Sequence, residues 1–383
     1  MGKTKILIYD SIANGHHLDY LFYVMQQASL RKNIELVLVC STKIDKNLND
    51  FSFPVGKFPT IQFDYLSEEQ LQAFHQKPIF LRSIAEWNYA VQLAEKHEAQ
   101  QILFPYFDYF QLGALVGKTP QAKVSGILFR GNTVNKMYGS VKKTALKWVL
   151  RKPFFDKLFV LTEDIVEDVK NLTSTEQVVY LPDPVYQFPS DEVSKKAFVK
   201  NLSIESSKTV FLNFGYLDSR KGIVEFLEAC QLLDSSIKQK IHLVLAGKME
   251  ASLQPKVEKL LANLPEISCS KLFSYHLPQE AQHLFELTDW TLVLYPKFLG
   301  SSSVLIRSAM ANKPVLGGNI GTIGAQMRRN TLGISIDPEN RKEIANALTE
   351  ILTQNIQPQA KGLKEFSEIH SINNFGNILF ENM

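Results

Sequence analysis

The 383-residue sequence predicts an α/β protein made of two doubly wound, Rossmann-like domains. Three observations carry that expectation. Short apolar runs alternate with stretches of helical periodicity from end to end, as parallel sheets covered on both faces require. The chain exceeds the roughly 250–300 residues at which a single hydrophobic core stops growing. A proline-rich stretch, Pro182-Asp-Pro-Val-Tyr-Gln-Phe-Pro-Ser-Asp191, interrupts the alternation midway and suits a linker. A boundary near 185 gives domains of 1–185 and 186–361, with 362–383 at the end.

In the first half, Lys5–Tyr9, Glu35–Cys40, Gln101–Pro105, Val124–Phe129, Lys157–Leu161 and Val178–Leu181 read as strands. Leu18, Leu21, Phe22, Met25 and Ala28 recur at helical spacing between the first two. The second half repeats the pattern, with strands at Thr209–Phe214, His242–Ala246, Trp290–Leu294, Pro314–Leu316 and Gly333–Ile336. Its helices include Gly222–Leu233, Pro278–Leu287 and Ser302–Ala311. Sheets of this kind bind ligands at the carboxyl ends of their strands, so two such halves facing each other would form a cleft.

Composition excludes several classes. Hydrophobic residues at 45% and charged residues at 21% fit a soluble globular protein, and a net charge of +3 gives no reason to expect nucleic acid. Cys40, Cys230 and Cys269 are odd in number and widely spaced, so they read as reduced core residues rather than a disulfide framework or zinc site. The first apolar run, Ile6–Tyr9, is too short for a signal peptide, and no stretch of about 18 apolar residues is present to span a membrane. Ile6 stands where a myristoylation signal needs Ser or Thr. A cytoplasmic protein is the expectation.

Three segments could carry chemistry. Gly215-Tyr-Leu-Asp-Ser-Arg-Lys-Gly-Ile223 follows a strand and opens a helix, where free N–H groups gather to meet an anion. Arg220 and Lys221 add fixed positive charge there. Gly300-Ser-Ser-Ser303 precedes another helix, where hydroxyls cap the free N–H groups or leave them for phosphate oxygens. Asn14-Gly-His-His17 follows the first strand, and Gly15 permits close backbone approach while His16 or His17 could donate to a ligand. The plainer alternatives are a strand-to-helix turn with solvated cations, simple capping, and one packed and one solvated histidine. Tyr106, Asp108 and Arg130 also lie at strand carboxyl ends, although Asp108 reads more readily as a helix cap than as a catalytic group.

These segments resemble those of retaining, two-domain glycosyltransferases of the group 1, or family 4, type. Lys221 and Gly222 match the Lys-Gly of that family's Gly-Arg-Leu-x-x-x-Lys-Gly motif, with Tyr216 in place of the arginine. Leu294–Val315 is similar to its nucleotide-sugar site, including Ala309-Met-Ala and Pro314-Val. Leu299 and Arg307 occupy the places of its two glutamates, and Asn312 that of a glycine. The resemblance implies a GT-B fold and retaining transfer of a sugar from a nucleotide sugar to a glycan or lipid-linked hydroxyl. Lys221, Arg220 and His17 would be catalytic. Gly15, His16, Gly215, Tyr275, Gly300, Ser301, Ser302, Ser303 and Arg307 would hold the donor. Tyr106, Asp108 and Arg130 would face the acceptor. Tyr275 and His276 occupy the family's base-binding place, and Gly321-Thr-Ile-Gly324 is a further candidate phosphate loop. No cofactor or metal is expected, since the nucleotide sugar is a substrate and no Asp-x-Asp motif appears. The final stretch, 362–383, would cross back onto the first domain.

Two other readings stay open. With both glutamates replaced, the chain could be a catalytically silent glycosyltransferase-like subunit that binds a partner enzyme or glycan. A GT-B sugar-nucleotide epimerase ranks below it, because no paired catalytic carboxylates stand out. The segment Tyr109–Phe155 contains nine cations and no acid. Lys136, Lys143, Lys147 and Arg151 share one helical face, and Met137, Val141, Ala145, Trp148 and Val149 another. A basic amphipathic helix over 136–152 is expected to meet an anionic membrane surface. A solvated basic face or an anionic acceptor would explain the same charges.

Overall fold

A computed structural model describes residues 3–50, 58, 60–129, 140–173, 176–188, 192–200, 202, 204–274, 276–354, 356 and 360–383. The chain divides into two units, residues 1–184 with 371–383, and residues 185–370.

The first unit holds a seven-stranded sheet: β1 (Thr4–Asp10), β2 (Ile34–Ser41), β3 (Ile61–Leu66), β4 (Gln101–Phe104), β5 (Lys123–Leu128), β6 (Phe155–Val160) and β7 (Val178–Tyr180). The order is β3-β2-β1-β4-β5-β6-β7, and every pairing is parallel. β3 gave no signal in sequence. It is an edge strand reading Ile-Gln-Phe-Asp-Tyr-Leu, and its middle residues are only partly covered, so it lacks the apolar run of a central strand. Its neighbours are buried on both faces. Trp87, on the helix Ile79–Lys96, stacks on Phe104 with centroids 5.0 Å apart and donates its indole N–H to the Lys118 carbonyl at 2.9 Å.

The second unit holds β8 (Thr209–Phe214), β9 (Ile241–Ala246), β10 (Ser268–Leu272), β11 (Trp290–Val293), β12 (Val315–Gly318) and β13 (Gly333–Ile336). Their order, β10-β9-β8-β11-β12-β13, is again parallel throughout. Side chains alternate along each strand. Phe211, Leu243, Leu245 and Leu292 enter one core layer, while Leu212, Val244, Ala246 and Val293 enter the other.

The return of the chain to the first unit comes later than residue 362. Leu363 and Phe366, on the helix Ala360–Ile369, are buried in the second unit's core. Burying such side chains contributes about 1.5–3 kcal/mol each, which fixes that helix where it is. Only the helix Ile372–Glu381 belongs to the first unit. It lies against the helix Gly15–Ser29, with Gln27 donating to Asn373 at 3.0 Å and Phe375 edge-on to Tyr20 at 5.7 Å. A Cβ on Gly376 would come within 2.2 Å of the Gln27 side chain, so the two helices meet through a glycine. All three cysteines are free thiols, and burial pushes each of them up in pKa.

Candidate active site

In the first unit the strand order reverses between β1 and β4, where a doubly wound sheet opens a crevice at its carboxyl ends. β1 ends on Asp10, and the chain turns into the helix Gly15–Ser29. Gly15 adopts φ +53° with open space around it, so the backbone angle, not close approach, calls for glycine. The turn brings His17 back to Asp10, with Nδ1 2.7 Å from Oδ2. The other carboxylate oxygen accepts the Ile12 N–H at 3.0 Å. Burial raises the Asp10 carboxyl above its ordinary pKa, opposed by the hydrogen bond and charge of His17.

The His17 ring stacks on Tyr106, with centroids 3.6 Å apart and planes 14° apart. Tyr106 stacks in turn on Phe129 at 3.9 Å and 9°. Burial, and then the negative charge of Asp10, pushes the Tyr106 phenol well up, so it stays protonated. Asp108 does not cap its helix, whose N-cap is Tyr106; its Oδ2 accepts the Phe129 N–H at 2.8 Å and ties the end of β5 to the helix Phe107–Val116. Asp10, His17, Tyr106, Asp108 and Phe129 line one cavity of about 670 Å³. Ile79 and Phe80 give it an apolar rim and are 72% and 54% exposed. His16 departs from expectation: its side chain is 73% exposed and lies 3.9 Å from Asp19, apart from the Asp10–His17 pair. Arg130 and Tyr275 lie outside the described residues.

In the second unit the equivalent reversal falls between β8 and β11. β8 runs into Gly215 at φ +108°. A Cβ on Gly247, which follows β9, would sit 1.9 Å from the Gly215 carbonyl oxygen, so the two turns touch through backbone alone. A short turn, Ser219–Lys221, follows, with the Asp218 side chain accepting the Arg220 N–H at 3.1 Å. Lys221 is 6% exposed. Its Nζ donates to the Tyr295 hydroxyl at 2.5 Å and lies 4.4 Å from that ring's centroid. Asn213 on β8 pins the lysine's backbone, donating to its carbonyl at 3.0 Å. A Cβ on Gly215 would come within 3.1 Å of Nζ, so the glycine leaves the ammonium beside bare main chain.

Arg220 does not join Lys221. Its guanidinium lies 5.0 Å over the Phe298 ring and 3.6 Å from Asp218, half exposed. The helix Ser303–Met310 begins after Ser302, whose side chain accepts no capping bond. The capping alternative for the serines therefore fails, and the first-turn N–H groups beside Gly300 and Ser301 carry no side-chain cap. Arg307 is placed elsewhere than expected. It lines a narrow crevice with Tyr186, Gln282, Phe285, Glu286 and Met310, a different set from the Lys221–Tyr295 pair. Leu299 is 43% exposed, and its carbonyl accepts the Thr322 N–H at 3.1 Å, which occupies one donor of the Gly321–Gly324 turn. His276 is committed to Leu272 and Glu280, at 3.1 and 3.4 Å. Asn312 adopts φ +54°, as its place at a helix end allows.

Asp10 and Tyr295 escaped the sequence reading. Asp10 was legible as an acid closing an apolar strand just before a histidine-bearing loop; Tyr295 had only its position after β11. Among the described residues no group of three or more His, Cys, Asp or Glu side chains could hold a metal ion.

Residues 194–368, nearly the whole second unit, match the family model of glycosyl transferases, group 1. The second unit is thus similar to group 1 glycosyltransferase domains. Solved structures similar to the full chain share its GT-B fold. HepE of Anabaena in complex with UDP is 13% identical, with a TM-score of 0.67 over 99% of this chain and 98% of that one. Sucrose-phosphate synthase from Thermosynechococcus elongatus is 14% identical, with a TM-score of 0.69 over 99% and 98%. WaaG, a glycosyltransferase involved in lipopolysaccharide biosynthesis, is 14% identical, with a TM-score of 0.62 over 98% and 97%. No curated protein matches the sequence. Within the matched stretch, neither Leu299 nor Arg307 can accept a hydrogen bond through its side chain.

The basic helix is partly described, over Ser140–Leu150. Its buried residues are Leu146, Val149 and Leu150, and Trp148, expected on the packed face, is 57% exposed. Lys136 and Met137 lie outside the described residues, as do the side chains of Val141 and Lys143. Among the described residues no helix is long and apolar enough to cross a membrane.

Proposed function

We propose that the protein moves a sugar from a nucleoside-diphosphate sugar to a hydroxyl acceptor, with retention as its family resemblance implies. The observation that carries this reading is Lys221, a buried ammonium held by the Tyr295 hydroxyl beside the bare backbone of Gly215. An ammonium so placed, in a group 1 glycosyltransferase domain, suits the negative charge that grows on a departing diphosphate. The uncapped helix start at Ser301–Ser303 would hold the same group's oxygens. HepE structures hold UDP and UDP-glucose, which makes a uridine nucleotide the first donor to try. Because the side chains of Leu299 and Arg307 accept no hydrogen bonds, a main-chain carbonyl or another side chain would receive the ribose and sugar hydroxyls, and affinity should be modest.

The acceptor belongs to the first unit's cavity, whose polar floor and apolar rim fit a glycan carried on a lipid. Trp148 and Lys147 on the basic helix, with Arg151 just past its end, would meet anionic lipid at the inner face of a membrane, and the transfer would need no metal. Calorimetric titration with UDP, GDP and their sugar conjugates tests the reading, followed by a transfer assay. Nucleotide binding with turnover is expected. Failure of every nucleotide and sugar nucleotide to bind at millimolar concentration would transfer the case to the silent-subunit reading, which the replaced glutamates favour.

A further inference from the structure

The cavity of the first unit pairs His17, for which the resemblance implies only a catalytic part, with an acid that the resemblance does not assign. Asp10 closes β1 and is buried, and its Oδ2 lies 2.7 Å from Nδ1 of His17. A carboxylate at that nitrogen keeps the imidazole proton on Nδ1 and leaves the Nε2 lone pair for another partner. Among the described residues Nε2 has none, and His17 lines the cavity. The ring cannot swing freely, because Tyr106 stacks against it at 3.6 Å and Phe129 backs Tyr106. One base, one orienting acid and one packed support therefore meet at the carboxyl ends of β1, β4 and β5.

We propose that His17 is the general base that takes the proton from the acceptor hydroxyl, with Asp10 as its positioning residue. The inference rests on the glycosyl-transfer reading and deepens it. The acceptor O–H proton passes to His17 Nε2 as the oxygen bonds to the sugar's anomeric carbon. The bond from that carbon to the diphosphate oxygen breaks, and its electron pair leaves with the diphosphate. The imidazolium then returns the proton to solvent. In a front-face displacement the leaving phosphate is commonly the only base at hand; here the chain supplies one of its own.

Other charged groups stand around this pair. His16 and Asp19 share its helix, and Tyr106 and Asp108 come from the β4 side. Arg82 lines the same cavity but is paired to the buried Glu86 at 2.6 Å, and Asp183 bonds to Tyr20 at 2.5 Å. Among the described residues only Asp10 holds His17 directly at hydrogen-bond distance, so the Asp10→Asn substitution isolates the orienting role.

The test uses UDP-glucose and full-length protein, with hydrolysis as turnover, so water serves as acceptor and no natural acceptor is needed. Wild-type kcat/KM should fall toward acid pH as the base protonates. His17→Ala should lower kcat by about 10²–10⁴-fold, flatten the acid limb and recover activity with added imidazole. UDP affinity should stay within about twofold of wild type, since the diphosphate site lies in the other unit's residues. Asp10→Asn should lower kcat at unchanged UDP affinity. Rescue by imidazole is the readout a merely structural histidine would not give. Turnover by His17→Ala within about threefold of wild type, with the acid limb intact, overturns the inference and leaves glycosyl transfer standing. A wild-type protein that binds UDP but never hydrolyses UDP-glucose overturns the inference alone. One that binds no nucleotide at all overturns the glycosyl-transfer reading as well.

Discussion

The two units share a plan and differ in what they place at its focal point. Each sheet reverses its strand order beside the first strand, β1 against β4 and β8 against β11. In the first unit that point carries an acid and a base, Asp10 and His17, framed by the aromatic rings of Tyr106 and Phe129. In the second it carries a lone ammonium, Lys221, framed by Gly215, Gly247 and Gly222, which let main chain come close. Aromatic walls suit a ligand recognised by shape and by one reactive hydroxyl, whereas glycines and a cation suit an anion recognised by backbone. The same topology thus presents two chemistries because a handful of residues past the strand ends differ.

The comparison breaks if the two points turn out to act on one property. The largest separation should come from kinetics: His17→Ala costs about 10²–10⁴-fold in kcat while nucleotide affinity holds. Its counterpart, Lys221→Ala, should weaken nucleotide binding by about ten- to a hundredfold, as loss of a charge-assisted contact of roughly 1.5–3 kcal/mol implies. Calorimetry on both variants checks this, and equal affinity in Lys221→Ala would remove the lysine from the donor site.

A membrane test sharpens the first unit's side of the contrast. Lys147→Glu with Arg151→Glu should reduce co-sedimentation with anionic vesicles by at least about thirtyfold, from about 1 kcal/mol per cation lost. Binding by wild type should also fall steeply with salt. Wild-type protein that ignores such vesicles at low salt returns this helix to a solvated face.

The smallest effect is thermal. Asp10 has a folded-state pKa raised by burial, so ionising it costs more in the native chain than in the unfolded one. That cost is absent below the unfolded carboxylate range and grows as pH rises through the folded value. Asp10→Asn escapes it, so its melting temperature relative to wild type should climb as pH rises through the carboxylate range toward neutrality. Melting curves across that range check the sign, and a mutant that loses ground as pH rises would place the favourable His17 contact above the burial cost.

Most of the architecture was legible because parallel strands buried on both faces announce themselves as apolar runs. Eleven of the thirteen strands coincide with such runs, and the exceptions, β3 and β10, lie at sheet edges and are only partly covered. The division near 185 was visible in the prolines, but the return to the first unit was set too early. Leu363 and Phe366 have the same periodicity whichever core receives them, so pattern alone could not choose between the two. At the site, glycines and Lys221 were readable through their spacing. Asp10 was not, because one acid at a strand end acquires meaning only when the turn at Gly15 folds His17 back onto it. Arg307 misled for a related reason: a helix position fixes which face a side chain leaves from, not which neighbours it meets.

The late return of the chain also sets an order of assembly. The helix Ile372–Glu381, which covers Tyr20 and Gln27, is synthesised only after the whole of residues 185–370. The part of the protein made first is therefore the last to be finished. A nascent chain halted at residue 370 would present a complete second unit and an uncovered Gly15–Ser29 helix, with the greasy flank around Tyr20 and Tyr23 open to chaperones. For this fold the helix Ile372–Glu381 acts as a seal on the Gly15–Ser29 helix, from whose first turn His17 reaches back to Asp10.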